Sequence, residues 1–534
     1  MCFHLTLALT LTLALILPLS ATTPSFQTQC LSFAPPVLPN TTLRLQEHIP
    51  PNTTLPLHGT DPTCARPTQF LSIETCRIAL TLHTSPRSSV IVDIFLPHPS
   101  AWRGRTLTTD TDGIDGCIKY EDMAYGVTHG FASVGTNVGH NGTSGVSFLN
   151  NEDVVVDFAW RGVRSAAAAG RAVTEAFYGR SVAGRRYYIG CSGGGRQGIQ
   201  VASMFPDEFD GVVVGAPALN FNAMAAWRAR FYTITGAVGS EGFITEEMWK
   251  GRIHSEVLKQ CDAIDGVVDG VLTDASLCAG VFRPEALLCT HRVTESCLSA
   301  KQVEIVREVF SPLYGVGGTM LYPGLAPGAE SLATQRLLSG TPFPYSVDWF
   351  RYAVYSDPSW DPASFTIADA QAAQDKNPGN AATWPSDLSP FRDAGGKLLV
   401  YHGGADQQIT GFNTEKWYNY LSRGMRARSE DLDEFVRFFR VPGMGHCSGG
   451  VGAWQIGQNG GATQGIDFEG RYNVLAAMVD WVENGVAPET IVGTRFVNDS
   501  VAKGVELRRT HCRYPLRSTY VGGDASSMES WDCK

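Results

Sequence analysis

Read for the spacing of apolar and polar positions, the chain alternates between strand-like and helix-like segments. From Ser89 to Leu96 the run SVIVDIFL is almost wholly apolar and predicts a buried strand. Phe131 to Thr136 predicts another. Asp157 to Tyr178 is Ala-rich with helical spacing, and Gly179 is placed to stop it. Arg186 to Gly190 (RYYIG) reads as a short strand that runs into a glycine-rich turn. A helix over Arg196 to Phe205 and a strand over Phe209 to Gly215 follow. This order predicts a parallel sheet covered on both faces. From about Leu219 to Pro390 the pattern changes to polar helical stretches with many glycines and prolines. Sheet character returns at Lys397 to His402 and Phe435 to Val441, and Asn473 to Asn484 predicts a closing helix. The segment before about Pro62 is rich in Pro, Thr and Asn and is expected to run over the surface. The fold class expected is α/β, with one sheet domain formed by residues 22–218 and 391–534 and a large insertion at 219–390. No internal repeat is visible.

The 534 residues are 43% hydrophobic and 18% charged, enough to bury a large core and too apolar for global disorder. A formal net charge of -10 argues against a nucleic-acid partner, which needs a basic surface. Leu5 to Leu17 is an apolar run broken at Pro18 and followed by Ser20, Ala21 and Thr22. It is too short to span a bilayer and predicts a signal peptide over residues 1–21, hence a secreted, extracellular protein, although its start offers His4 and no Lys or Arg. No later stretch is apolar enough to cross a membrane. Of 13 cysteines, Cys2 falls in the expected signal. The remaining even number points to disulfides, and the absence of any C-x-x-C pair gives zinc little support. Sequons begin at Asn40, Asn52, Asn141 and Asn498 and are expected glycan sites on a secretory route.

The chemistry concentrates in Gly190-Cys191-Ser192-Gly193-Gly194. A Gly-x-Ser-x-Gly turn between strand and helix lifts a serine hydroxyl above the sheet, and glycines remove clashing side chains. Ser192 is therefore the expected nucleophile, with the amide of Gly193 facing an oxyanion. A bland glycine-rich turn would have the same local look. The base and its orienting acid should come later, each after a strand. Asp406 follows the strand KLLVYH, and His446 follows FVRFFRV. His402 and His140 are rival histidines, the former more suited to a structural role. Asp431 and Asp433 are rival acids, but they precede their strand. Cys191 adjoins Ser192 and Cys447 adjoins His446. If those cysteines pair, their Cα atoms lie about 5 to 6 Å apart and serine and histidine become neighbours.

The stretches YYIGCSGGGRQG, FPDEFDGVVVGAPA, LVYHGGADQQI, VPGMGHCSGG and MVDWVENGVAPETIV resemble the tannase and feruloyl esterase family, over about Cys64 to Cys533. The resemblance implies an α/β-hydrolase fold with a lid domain, the triad Ser192, Asp406 and His446, and the disulfide Cys191–Cys447. It also implies the pairs Cys30–Cys76, Cys64–Cys117, Cys261–Cys278, Cys289–Cys297 and Cys512–Cys533. The family hydrolyses phenolic acid esters, needs no organic cofactor, and includes feruloyl esterases acting on hydroxycinnamates attached to plant cell-wall sugars. The chain resembles the shorter feruloyl esterase type. The alternatives are a tannase acting on galloyl esters and, more remotely, a secreted binding protein that keeps the fold without catalysis.

Two acidic loops need a reading. Asp262, Asp265 and Asp269 crowd one glycine-bearing loop, a density of hard oxygen donors that suits Ca²⁺. Its spacing is not that of an EF-hand, and a solvated acidic turn explains it equally well. The resemblance implies a structural calcium site in the lid, with those three side chains and the carbonyls of Val267 and Val271 as ligands. The segment from Asp110 to Gly116 matches the family position of a Gly-Asn-Gly-Gly loop that could supply a second oxyanion amide. Here Asp110, Thr111 and Asp112 depart from it, and carboxylates facing an oxyanion are unfavourable unless they point away. Trp227, Phe231, Tyr232, Trp349 and Phe350 are candidates for an aromatic acyl pocket, with the core of the insertion the favoured reading of each.

Overall fold

The computed structural model describes residues 1, 25–109, 111–179, 184–290 and 297–534. Apart from Met1, the expected signal segment lies outside the described residues, as does Asp110. A nine-stranded sheet organises the molecule. In chain order its strands are β1 (Thr41–Ile49), β2 (Thr75–Ser85), β3 (Ser88–Pro97), β4 (Arg105–Thr109), β5 (Phe131–Thr136), β6 (Arg185–Cys191), β7 (Gly211–Gly215), β8 (Lys397–Gly403) and β9 (Val436–Val441). Their spatial order is β1-β2-β3-β5-β4-β6-β7-β8-β9.

The sheet corrects two expectations. It is mixed: β1, β2, β3 and β5 pair antiparallel, and only β5-β4-β6-β7-β8-β9 run parallel. The SVIVDIFL run therefore joins an antiparallel wing. The segment before Pro62 is also not all surface chain, because β1 forms the outer edge strand. Its alternation leaves Leu43 and Leu45 exposed, so it lacks the continuous apolar run of a central strand. Strand β4 (RTLTT) gave no signal either, yet it lies between β5 and β6 with its last three residues buried.

Helices cover both faces. The predicted helix over 157–178 starts earlier, with α-helical Glu152–Val156, a π-helical turn at Asp157–Arg161, and α1 (Gly162–Tyr178), ended by left-handed Gly179. Helix α2 (Gly193–Met204) packs on β6 and β7. On the other face α3 (Val474–Asn484) buries Leu475, Met478 and Trp481 against Tyr187, Val213 and Leu399. Among its described residues, the chain between β7 and β8 adds no strand to the sheet. Among the described residues it forms helices, 3-10 turns and a small ribbon, Leu313–Tyr314 with Met320–Tyr322. Its apolar residues merge with those under α1 and α2 into one core. Trp227, Phe231, Trp349 and Phe350 belong to that core and are almost fully buried, with Trp349 Nε1 donating to Asn222 Oδ1 at 3.1 Å. They are packing residues of the insertion; Tyr232 is half-buried.

Six disulfides are formed, with Cα separations from 5.0 to 6.1 Å: Cys30–Cys76, Cys64–Cys117, Cys191–Cys447, Cys261–Cys278, Cys289–Cys297 and Cys512–Cys533. All four sequon asparagines are exposed. Among the described residues no helix is long and apolar enough to cross a membrane.

Candidate active site

Strand β6 delivers Cys191 to the top of the sheet, and the chain turns sharply at Ser192 into α2. Ser192 has φ +61°, a conformation that L-residues seldom adopt, and it is held there from several sides. Its amide donates to Gly215 O at 3.0 Å, while its carbonyl accepts from Ala218 N at 3.0 Å and Arg196 N at 3.1 Å. The following glycines are required by space. A Cβ at Gly195 would stand 2.5 Å from Gly215 O, and one at Gly193 would stand 2.5 Å from Gly113 O. The Gly193 contact shows that the loop before Gly116 lies directly on the serine turn.

Three polar side chains meet above the sheet from the ends of β6, β8 and β9. Ser192 Oγ lies 2.9 Å from His446 Nε2, and His446 Nδ1 lies 2.8 Å from Asp406 Oδ2. Asp406 is fully buried. Its Oδ1 accepts from the amides of Gln408 and Ile409, both at 2.8 Å, and its Oδ2 also lies 3.2 Å from His402 Nε2. Burial opposes its charge, but His446 and the hydrogen bonds from His402 and His446 hold the carboxyl far below its ordinary range. The His446 amide donates to Gln407 Oε1 at 3.0 Å. With one nitrogen facing a carboxylate and the other a serine oxygen, the imidazole is arranged to take the hydroxyl proton.

The rival groups fall elsewhere. His402 Nε2 faces both Ile409 O and the Asp406 carboxylate, so it carries the proton, and Nδ1 accepts from Thr414 Oγ1 at 2.8 Å. His402 thus braces the acid. His140 is buried and donates to Ile114 O at 2.9 Å. Asp431 pairs with Arg428, and Asp433 with Arg513.

The loop from Thr111 to Gly116 is bound on both sides. A Cβ at Gly113 would collide with the ring of Tyr345, 2.3 Å away, so loop and insertion touch here. Asp112 forms an ion pair with Lys119 at 2.6 Å and lies 3.7 Å from Arg66. Burial works against its charge, yet Lys119, Arg66 and His446 keep it below its ordinary range. Asp115 behaves oppositely. Burial and the neighbouring Asp112 charge push it up to about 8, so it is a neutral acid at pH 7. The two carboxyls beside the serine turn are thus paired in one case and uncharged in the other.

In the second acidic loop, Asp262 accepts from Gly270 N, Asp265 from Val267 N, and Asp269 from Val271 N. Asp269 also pairs with Arg509 at 2.5 Å. Asp265 Oδ2 is buried without a hydrogen-bond partner, and burial with repulsion from Asp269 and Asp265 raises the Asp262 carboxyl. These features fit a cation. Among the described residues, however, no three acidic, histidine or cysteine side chains already form a metal-holding group. The backbone carbonyls would have to complete the set.

A serine on a tight strand-to-helix turn, with its acid and histidine on later strand ends of a mainly parallel sheet, defines an α/β-hydrolase. Residues 76–534 match the model of the tannase and feruloyl esterase family, and the chain belongs to that family. It is 50% identical over 494 residues to a probable feruloyl esterase B-2 of Aspergillus flavus, covering 92% of this chain and 94% of that one. The crystal structure of feruloyl esterase B from Aspergillus oryzae superposes with a TM-score of 0.91 at 41% identity, covering 96% of this chain and all of that one. An esterase from the same organism superposes with a TM-score of 0.92 at 44% identity and the same coverage.

Proposed function

We propose that this chain is a secreted carboxylic ester hydrolase that cleaves feruloyl and related hydroxycinnamoyl esters of plant cell-wall polysaccharides. The observation that carries this reading is the hydrogen-bonded line from Ser192 through His446 to Asp406, in a chain half identical to a probable feruloyl esterase. Ser192 Oγ attacks the ester carbonyl as His446 Nε2 takes its proton. The amide of Gly193 at the start of α2 would receive the oxyanion, and the Thr111 to Gly113 loop packed against that turn is the candidate source of a second donor. The C–O bond breaks as His446 returns the proton to the leaving alcohol. Water then repeats the sequence on the acyl-enzyme, releasing the phenolic acid and restoring Ser192. Asp406 holds the imidazole orientation and offsets its positive charge throughout.

The test is labelling of Ser192 by a serine-directed phosphonate, with Ser192→Ala as control, and rates on methyl ferulate, methyl caffeate, methyl p-coumarate and methyl gallate. Preference for gallate would make the enzyme a tannase. A chain neither labelled nor active on any ester would be a binding protein. Secretion through cleavage after residue 21 is read from the N-terminus of protein recovered from culture medium. Glycans at Asn40, Asn52, Asn141 and Asn498 are read from peptide masses.

A structural Ca²⁺ in the Asp262 to Val271 loop is part of the same proposal. Asp262 and Asp265, with the carbonyls of Val267 and Val271, would hold it, and Asp269 would be shared with Arg509. The ion takes no part in the chemistry. Chelation should lower the melting temperature, calcium should restore it, and Asp262→Asn should lose that response. A melting temperature indifferent to calcium overturns the site.

A further inference from the structure

The helix Phe221–Thr235 of the insertion buries Arg228 to 4% exposure. Its Nε donates to Gln408 O at 2.9 Å, on the loop that carries Asp406. The two terminal nitrogens have no hydrogen-bond or ion-pair partner among the described residues. The guanidinium faces the ring of Phe343, 4.7 Å from its centroid, and that ring is 5.6 Å from the ring of Tyr345. Tyr345 in turn presses on Gly113, which lies on the serine turn. Phe343 and Tyr345 therefore bridge from the loop beside Ser192 to the loop of Asp406, with Arg228 at the far end. Tyr322, within electrostatic reach of Arg228, is fully buried and its hydroxyl is also without a partner.

The other large buried arginine near the serine turn makes a useful contrast. Arg196 spends its terminal nitrogens on Ala159 O and Phe158 O. Arg228 makes one hydrogen bond from a group that can only donate. Unlike the Tyr322 hydroxyl, the Arg228 terminal nitrogens are unpaired yet keep some accessible surface, so an acceptor oxygen of a ligand can reach them and gain a charge-assisted hydrogen bond. Phe343 is buried beneath the guanidinium, and half-buried Tyr345 beside Gly113 is the ring an aromatic acid would stack on.

We propose that Arg228 and Tyr322 together form the subsite that recognises the ring oxygens of the acyl group, the hydroxyl and methoxy of a hydroxycinnamate. This rests on the phenolic ester reading above and adds to it how a substituted ring is told from a bare one. The ring lies along Tyr345, and Arg228 donates to its oxygen. Tyr322 either donates to the same oxygen or accepts from the phenolic hydrogen.

The test compares full-length enzyme with Arg228→Met and Tyr322→Phe on methyl ferulate and methyl cinnamate, which lacks ring oxygens. Wild type should prefer ferulate in kcat/KM. Arg228→Met should cut the ferulate-to-cinnamate ratio by about 10- to 100-fold, as expected for a lost hydrogen bond from a charged donor. Tyr322→Phe deletes only an oxygen, is the variant expected to fold in any case, and should cut the ratio by about threefold or more. A ratio within twofold of wild type in Tyr322→Phe and in any folded Arg228→Met overturns the subsite. So does an equal loss on both esters, which would make Arg228 a positioning residue for the Asp406 loop. Wild type inert on both esters fails the esterase reading itself.

Discussion

Removing the Cys191–Cys447 bridge, as Cys191→Ala with Cys447→Ala, separates two effects. The bridge closes a 256-residue loop, so the chain-entropy model assigns it about 5 kcal/mol of stabilisation. An unfolding entropy of about 2.1 cal/mol/K per residue amounts to about 1.1 kcal/mol/K over this chain, so the melting temperature should fall by about 5 °C. The second effect is catalytic. The bridge joins the residue before Ser192 to the residue after His446, across a 2.9 Å hydrogen bond. Without it the histidine loop keeps the bonds to Gln407 and Asp406 and one from Gln458 to Cys447 O. A displacement of about 1 Å costs on the order of 100-fold in rate, so kcat should fall by about 10- to 100-fold. The control is Cys30→Ala with Cys76→Ala, which opens a 46-residue loop far along the sheet and should cost about 4 kcal/mol with kcat unchanged. The assays are a thermal melt and initial rates on methyl ferulate well below the melt. Equal kcat in the two double variants refutes the clamp, and an unchanged melting temperature refutes the loop-entropy argument.

Three further outcomes are expected. Asp406→Asn should lower kcat by about 10⁴-fold while the fold survives, because the amide cannot hold the productive imidazole tautomer; a loss under tenfold on the same ester panel would contradict its role. Asp115 has a folded-state value near 8 against an ordinary 3.8, so the folded protein binds its proton more tightly than the unfolded chain. Its contribution to stability is full below about pH 4 and is lost as pH rises towards 8; Asp115→Asn should flatten the fall in melting temperature between pH 5 and 8, and an unaltered slope would show that another group sets it. Gly195→Ala places a methyl 2.5 Å from Gly215 O and 3.0 Å from Pro217 Cα, both backbone atoms, and should destabilise by about 1–3 kcal/mol; an unshifted denaturation midpoint would mean the turn relaxes freely.

What was legible in the sequence was whatever rests on a local pattern. Strands buried on both faces, such as β7 and β8, read as apolar runs because a polar group there needs a specific partner, as His402 has in Thr414 and Ile409. The serine turn showed in its glycines, and the acid and histidine showed as the residues just past two such runs. The antiparallel wing did not. Arg77 in β2 and Asp93 in β3 put charges into the sheet that pair at 2.7 Å, with Glu47 of β1 also 2.8 Å from Arg77, a network no single segment reveals. Strand β4 is threonine-rich and became central only through its neighbours. Four of the five aromatic residues singled out for an acyl pocket proved to be core, Tyr232 being the exception, because sequence shows that a ring will be buried but not against what. Arg228 was missed for a related reason. In FNAMAAWRARFYTIT it looks like an ordinary helix charge, and only the packing of the insertion shows that its terminal nitrogens lack a partner.

The crowding around Asp406 has a consequence for how charge moves in the cycle. An ionised carboxylate offers about four lone-pair sites, and Gln408, Ile409, His402 and His446 occupy them. All four bonds favour the ionised carboxylate, so the imidazolium formed during attack keeps its Nδ1 proton and does not pass it to the acid. Proton traffic is confined to one hydrogen shuttling through His446 Nε2 between serine, leaving alcohol and water. Rates measured across mixtures of light and heavy water should therefore vary linearly with the deuterium fraction, as for a single proton in flight.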